Sequence, residues 1–186
     1  MSVHQQYDVS LSNLITSGMP LNEALQKILD DKHTNIDASD VSGLEDKHLQ
    51  FFTNAVVLNI EKCNEINGSG FGHLGNLRWL NMRALWDSHI TNETFRHLPN
   101  LEYLDMGFCN AKKTLRLTND MFLYLPKLKV LDIFACTHLT KQIFEYLPNL
   151  QKVFIDGCVN LQTPEIIRKL WASQIEVKGI NIGCHF

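Results

Sequence analysis

Apolar residues recur along this chain in one short frame. The stretches "LEYLDMGFCN" from Leu101, "LKVLDIFACT" from Leu128 and "LQKVFIDGCV" from Leu150 place apolar residues at positions 1, 4 and 6 and cysteine at position 9. The frame extends backwards. "LRWLNMRALW" from Leu77 keeps Leu80 and Met82 but has Leu85 in the cysteine slot, and "AVVLNIEKC" from Ala55 supplies Leu58, Ile60 and Cys63. A degenerate copy starting at His33 offers Ile36, Ala38 and Val41, and the starts are spaced by 22, 22, 24, 27 and 22 residues. Alternating positions 4 and 6 predict a short strand with one face in the core. The strand is followed by a second repeated segment, "ITNETFRHLPN", "LTNDMFLYLPK" and "LTKQIFEYLPN". There Thr91, Thr118 and Thr140 are expected helix N-caps, and Pro99, Pro126 and Pro148 end each helix by pushing the preceding residue out of helical geometry. A last strand is expected in "IEVKGINI" near the C-terminus.

The repeated L-x-x-L-x-L-x-x-C frame resembles the leucine-rich-repeat family, and cysteine in the ninth slot resembles its cysteine-containing subclass. The resemblance covers roughly residues 33–186. It implies an α/β solenoid, a right-handed βα superhelix with a concave parallel sheet and convex short helices. Leu85, and Ala55 and His33 at position 1, depart from the pattern. Residues 1–32 lie outside the frame, and "PLNEALQKILDD" spaces Leu21, Ala24, Leu25, Ile28 and Leu29 as an amphipathic helix whose first turn would hold Pro20. These residues are expected to form an N-terminal helical cap on the repeat domain of residues 33–186. The same helix also resembles the opening of an F-box, although its proline-to-glutamate spacing differs by one and the segment is short for that motif.

Composition changes the picture little. The 186 residues suffice for one domain with a core, and a net charge of -3 offers no general attraction to nucleic acid or anionic membranes. No apolar run approaches the roughly 20 residues of a membrane helix, and the first 20 residues lack the pattern of a secretory signal. Five cysteines, 46, 27, 22 and 26 residues apart, match no C-x-x-C motif and suit reduced thiols in the cytoplasm, or in a host cytosol for a secreted effector. Position 9 predicts burial, with the thiols in one column about 4.8 Å apart. A column cannot converge tetrahedrally on zinc, and buried Cys136 is no activated nucleophile for His138. The glycine-rich "NGSGFGHLGN" at 67–76 is a turn or, as the alternative, a phosphate loop. No cofactor motif is present, and a monomer is expected.

Candidate functional residues are those pointing away from the core. Position 3 holds Trp79 and Tyr103; position 5 holds Asn81, Asp105, Asp132 and Phe154; position 7 holds Arg83, Phe134 and Asp156, with Phe108 at position 8. Aromatic side chains set among carboxylates are the makings of interface hot spots and favour a basic or mixed basic and apolar protein segment. Trp86, Lys112, Lys113 and Arg116 are expected on loops at one rim, where repeat insertions collect. The expectation is a non-enzymatic protein-interaction module whose substitutions at Trp79 and Asp105 leave stability nearly unchanged. Family resemblance implies several settings: an adaptor or substrate-recognition component in ubiquitin ligation, a bacterial effector or regulator, or a mitochondrial assembly factor, the last disfavoured by the absence of an Arg-rich start. The rival from another class is a carboxylate enzyme using Asp105 and Asp132 as acid and base or as ligands of a divalent cation.

Overall fold

A computed structural model describes residues 6–85, 89–109 and 117–180. Eight strands form one open parallel sheet in sequence order: β1 (Val9–Ser10), β2 (Asn35–Asp37), β3 (Val57–Asn59), β4 (Trp79–Asn81), β5 (Tyr103–Asp105), β6 (Val130–Asp132), β7 (Lys152–Phe154) and β8 (Glu176–Lys178). Register follows the repeat frame without a slip. Ile36, Leu58, Leu80, Leu104, Leu131, Val153 and Val177 stand side by side at position 4, and Val9 joins them from the segment preceding the repeats. A shift of one residue in any strand would send its leucine to solvent, so burial of that row fixes the register. From Ile36 to Val153, every side chain in the row is 0% exposed.

The convex connections are mostly tight 3-10 turns: Asp46–Phe52, Phe71–His73, Asn92–His97, Asn119–Tyr124 and Val159–Leu161. Among the described residues of the repeats, α3 (Ile143–Tyr146) and α4 (Pro164–Ala172) alone are α-helical. Thr91 forms a reciprocal capping box with Thr94, and the Thr118 hydroxyl accepts from the Asp120 N–H. Thr140 departs from the expected cap. Gln142 is the N-cap of α3, and Thr140 contributes its carbonyl to the Ile143 N–H at 3.2 Å. Its hydroxyl instead accepts from Asn119 Nδ2 at 2.8 Å, just as the Thr118 hydroxyl accepts from Asn92 Nδ2 at 2.8 Å. Asn92 and Asn119, which follow Thr91 and Thr118, thus tie their repeats to the next. Return-loop asparagines do the same in the opposite direction: Asn76, Asn100 and Asn149 donate to the carbonyls of Thr53, Gly75 and Pro126 in the preceding repeat.

The N-terminal segment adds more than one helix. Besides β1 it forms α1 (Leu11–Thr16) and α2 (Leu21–Asp30), which buries Ala24, Leu25 and Ile28. Pro20 is the N-cap of α2, just outside its first turn. Lys32, at φ 56°, ends α2 in the left-handed conformation and returns the chain so that the His33 N–H reaches the Ile28 carbonyl at 3.2 Å.

Cys63, Cys109, Cys136 and Cys158 form the expected buried column, and Cys184 lies outside the described residues. Each thiol donates to the position 6 carbonyl of the repeat before it: Cys63 to Ala38, Cys109 to Met82, Cys136 to Met106 and Cys158 to Ile133, at 3.1, 3.2, 3.3 and 2.8 Å. Burial pushes Cys63 and Cys158 up to about 11 and Cys109 to about 12, so these thiols stay protonated and unreactive. Cys136→Ser should lower stability by about 1–2 kcal/mol, through a smaller and more polar group in an apolar slot, with no selective loss of binding. Urea denaturation of the two proteins checks this.

Candidate concave recognition face

Position 5 has a local structural duty that its outward direction conceals. The Oδ1 atoms of Asp37, Asn59, Asn81, Asp105 and Asp132 accept the N–H two residues ahead, at 3.1, 3.1, 3.0, 2.9 and 3.0 Å. Each such Asx turn bends the chain out of its strand. Residue 8 then takes the left-handed conformation in repeat after repeat: Asp40, Lys62, Ala84, Phe108 and Ala135 have φ between 57° and 61°, and Gly157 has φ 72°. Asn81, Asp105 and Asp132, expected as partner contacts, thus also hold their own turns. Asp105 is also 8% exposed, so the pairing of Trp79→Ala with Asp105→Lys would not leave stability unchanged.

Tyr7, just ahead of β1, alters the N-terminal half of the face. Its ring meets Trp79 edge-on at 6.3 Å, and Trp79 stacks on Tyr103 at 4.7 Å and 10°. Burial, helped by Asp37 and Glu61 and opposed by a hydrogen bond with Asn59, pushes the Tyr7 phenol up to about 12. The outward residues of β3 are covered, with Val57 at 5% and Asn59, the hydrogen-bond partner of Tyr7, at 8% exposure. Asn81 Nδ2 is engaged by Glu61 at 3.3 Å. Trp79 and Tyr103 are half-buried and form one continuous aromatic ledge rather than separate anchors.

Around β5 and β6 the structure brings five of the expected residues together. The Arg83 guanidinium lies 5.0 Å from the ring centres of both Phe108 and Phe134, whose rings are 4.6 Å apart. Its Nη1 is 3.4 Å from Asp105 Oδ1 and 3.9 Å from Asp132 Oδ2. Gly107 makes this crossing possible, because a Cβ there would sit 2.5 Å from Arg83 Nη1. One guanidinium does not neutralise two carboxylates. Burial and the neighbouring Asp132 push Asp105 up to about 6, against the lowering effects of the Gly107 N–H and Arg83. Asp132 is raised as well, by burial and by Asp156, although the Phe134 N–H and Arg83 act in the opposite direction.

The remaining candidates stand apart. Phe154 carries the Lys152 ammonium 5.2 Å from its ring centre, and the Asp156 carboxylate lies against Gly179. Trp86, Lys112, Lys113 and Arg116 fall outside the described residues. Among the described residues no three His, Cys, Asp or Glu side chains gather as a metal site, and no helix is long and apolar enough to cross a membrane. The glycine-rich turn is already occupied by an anion of the chain itself. The Asp46 carboxylate accepts from the Asn67 N–H at 2.5 Å and the Gly70 N–H at 2.8 Å, which favours the turn over a phosphate loop. Nothing in the sequence marked Asp46 or Tyr7, because their partners are 21 to 24 residues away for Asp46 and in three different strands for Tyr7.

The parallel sheet and short convex turns make this chain a leucine-rich-repeat solenoid by fold. It superposes on a chain of the yeast Rad7–Elc1 complex with a TM-score of 0.59 at 18% identity, covering 80% of this chain and 42% of that one. A chain of the TLR13–ssRNA13 complex gives 0.50 at 21% identity, over 73% of this chain and 23% of that one. This chain therefore spans less than half the length of either neighbour, and the likeness is one of fold. No family model and no curated protein matches the sequence.

Proposed function

We propose that the chain is a non-enzymatic protein-interaction module, an adaptor or effector-type scaffold that takes a basic or mixed basic and apolar segment of a partner on its concave face. Phe108 carries this reading. It is a bulky aromatic held at φ 60°, a conformation costing roughly 1–2 kcal/mol, and it is still 39% exposed. Burial does not offset that strain, and the corresponding turns use Asp40, Lys62, Ala84, Ala135 and Gly157. A strained, exposed aromatic beside buried Asp105 and half-buried Asp132 is what recognition would require. Tyr7 already packs on Trp79 and bonds Asn59, and the exposed Phe108 lies beyond β5, so the surface is centred on β5 to β7, with Tyr103, Phe108, Phe134, Phe154 and Asp156 as its contacts. Arg83 stands between Asp105 and Asp132 at 3.4 and 3.9 Å, so acid–base chemistry would start from a carboxylate pair that already faces a cation.

Phe108→Ala combined with Asp156→Lys should abolish capture of a specific partner from lysate while moving the melting temperature by no more than a few degrees. Capture unchanged by the double variant would reject the concave face as the binding surface. A second reading, a substrate-recognition component of a ubiquitin ligase, draws on the fold shared with a chain of the Rad7–Elc1 complex. Docking through α2 would then use its polar face, since Ala24, Leu25 and Ile28 are committed to the solenoid core.

A further inference from the structure

Arg83 occupies its site in a manner unlike a structural ion pair. A buried arginine usually meets a carboxylate through two parallel N–H bonds of about 2.7–2.9 Å. Arg83 reaches both carboxylates through Nη1 alone, at 3.4 and 3.5 Å to the two Asp105 oxygens and 3.9 Å to Asp132. No hydrogen-bond partner engages its other guanidinium nitrogens among the described residues. Its guanidinium passes over Gly107, where a Cβ would sit 2.5 Å from Nη1, and 23% of the side chain is exposed, so the arm reaches solvent along one side. What it would leave behind is two aromatic rings 4.6 Å apart and two carboxylates held in place by the Gly107 and Phe134 N–H groups. Aromatic faces together with carboxylates suit guanidinium better than ammonium, because the planar cation stacks and donates in one plane.

The charge around the site favours a second cation. Asp105 and Asp132 share Arg83, Asp156 adds to the negative field on Asp132, and the lysines of β7 and β8, among the described residues, are engaged elsewhere. Lys152 and Lys178 both pair with Glu176, at 3.0 and 2.8 Å. We propose that Phe108, Phe134, Asp105 and Asp132 form a guanidinium receptor that Arg83 fills in the free protein and that an arginine of the partner enters by displacing it. This rests on the concave-face reading and adds the chemistry of the residue recognised. Arg83 is then a built-in competitor, which lowers affinity for ordinary basic segments and keeps the two carboxylates partly neutralised between binding events.

The probe is α-N-acetyl-arginine amide, titrated at pH 8 so that both carboxylates are ionised and followed by calorimetry. Arg83→Ala should bind it at least tenfold more tightly than wild type, and the corresponding lysine derivative several-fold more weakly than the arginine one. Arg83→Gln, which keeps most of the bulk, should bind more tightly than wild type if the alanine variant is poorly folded. Adding Phe108→Ala to either variant should remove the gain. Equal binding by wild type and both folded Arg83 variants, or no preference for arginine over lysine, would overturn the receptor. The titration involves no protein partner, so the two failures are distinguishable: loss of the arginine site leaves the capture result standing, whereas unchanged capture by the concave double variant removes the partner's arginine as occupant and leaves only a site for the free arginine derivative.

Discussion

Asp105→Asn should make the protein more stable at pH 7.5, by about 1–2 kcal/mol, and the gain should disappear as the pH is lowered towards 4. In the unfolded chain this carboxyl titrates at its ordinary value of 3.8, whereas in the fold burial and Asp132 push it up to about 6. Between those values the native state holds a proton that the unfolded chain has released. Stability therefore falls as pH rises through this window, and the deficit is complete above about 6. Asparagine keeps the Oδ1 acceptor for the Gly107 N–H and cannot ionise, and Asn59 and Asn81 already fill this slot in two other repeats. Some of the gain is lost with the Arg83 pair, but the raised titration point shows that burial and Asp132 outweigh that pair. Thermal melts of both proteins from pH 4 to 8 check the expectation, and a variant less stable than wild type at every pH would contradict it.

Asp46→Ala should be the most damaging change away from the apolar core, with a loss of about 3 kcal/mol, since each charge-assisted bond to a backbone N–H contributes about 1.5–3 kcal/mol. The carboxylate is 8% exposed and holds the Asn67 and Gly70 N–H groups of the following repeat. Alanine would strand both donors beside a packed turn where a side chain on Gly70 would collide with the Asp46 carbonyl. Repeats in a solenoid contact only their neighbours, so the damage should be local. Hydrogen exchange should accelerate in β2, β3 and the turns between them before it does in β6 and β7. Asp46→Asn, which keeps one acceptor, should lose less than half as much. A uniform rise in exchange along the chain would show that Asp46 supports the whole fold rather than one junction.

Much of the fold was legible because its determinants are local and repeated. Leu104, Leu131 and Val153 share position 4, and the side-chain period of two assigns the face of every neighbouring residue. Thr91 and Thr118 announce their turns by chemistry that acts within three residues. Thr140 shows the limit: its hydroxyl was taken by Asn119 of the preceding repeat, a partner 21 residues away that no local rule weighs. The candidate site was legible as a set of outward residues but not as an arrangement. Alternation gives direction for Arg83, Asp105 and Phe134, and it does not tell how far an arm reaches across a glycine in the next strand.

The sequence by itself determined the repeat, the strand register, the buried cysteine column and the list of residues facing the concave side, all consequences of short-range periodicity and burial. Tertiary structure alone decided which of those residues are surface. Tyr7 packs against Trp79 and bonds Asn59, Gly107 admits Arg83 between Asp105 and Asp132, and the left-handed turn lifts Phe108 into solvent. The physical reason is that exposure and charge balance depend on what adjacent repeats place beside a residue. That sum over neighbours is set only once the strands are stacked.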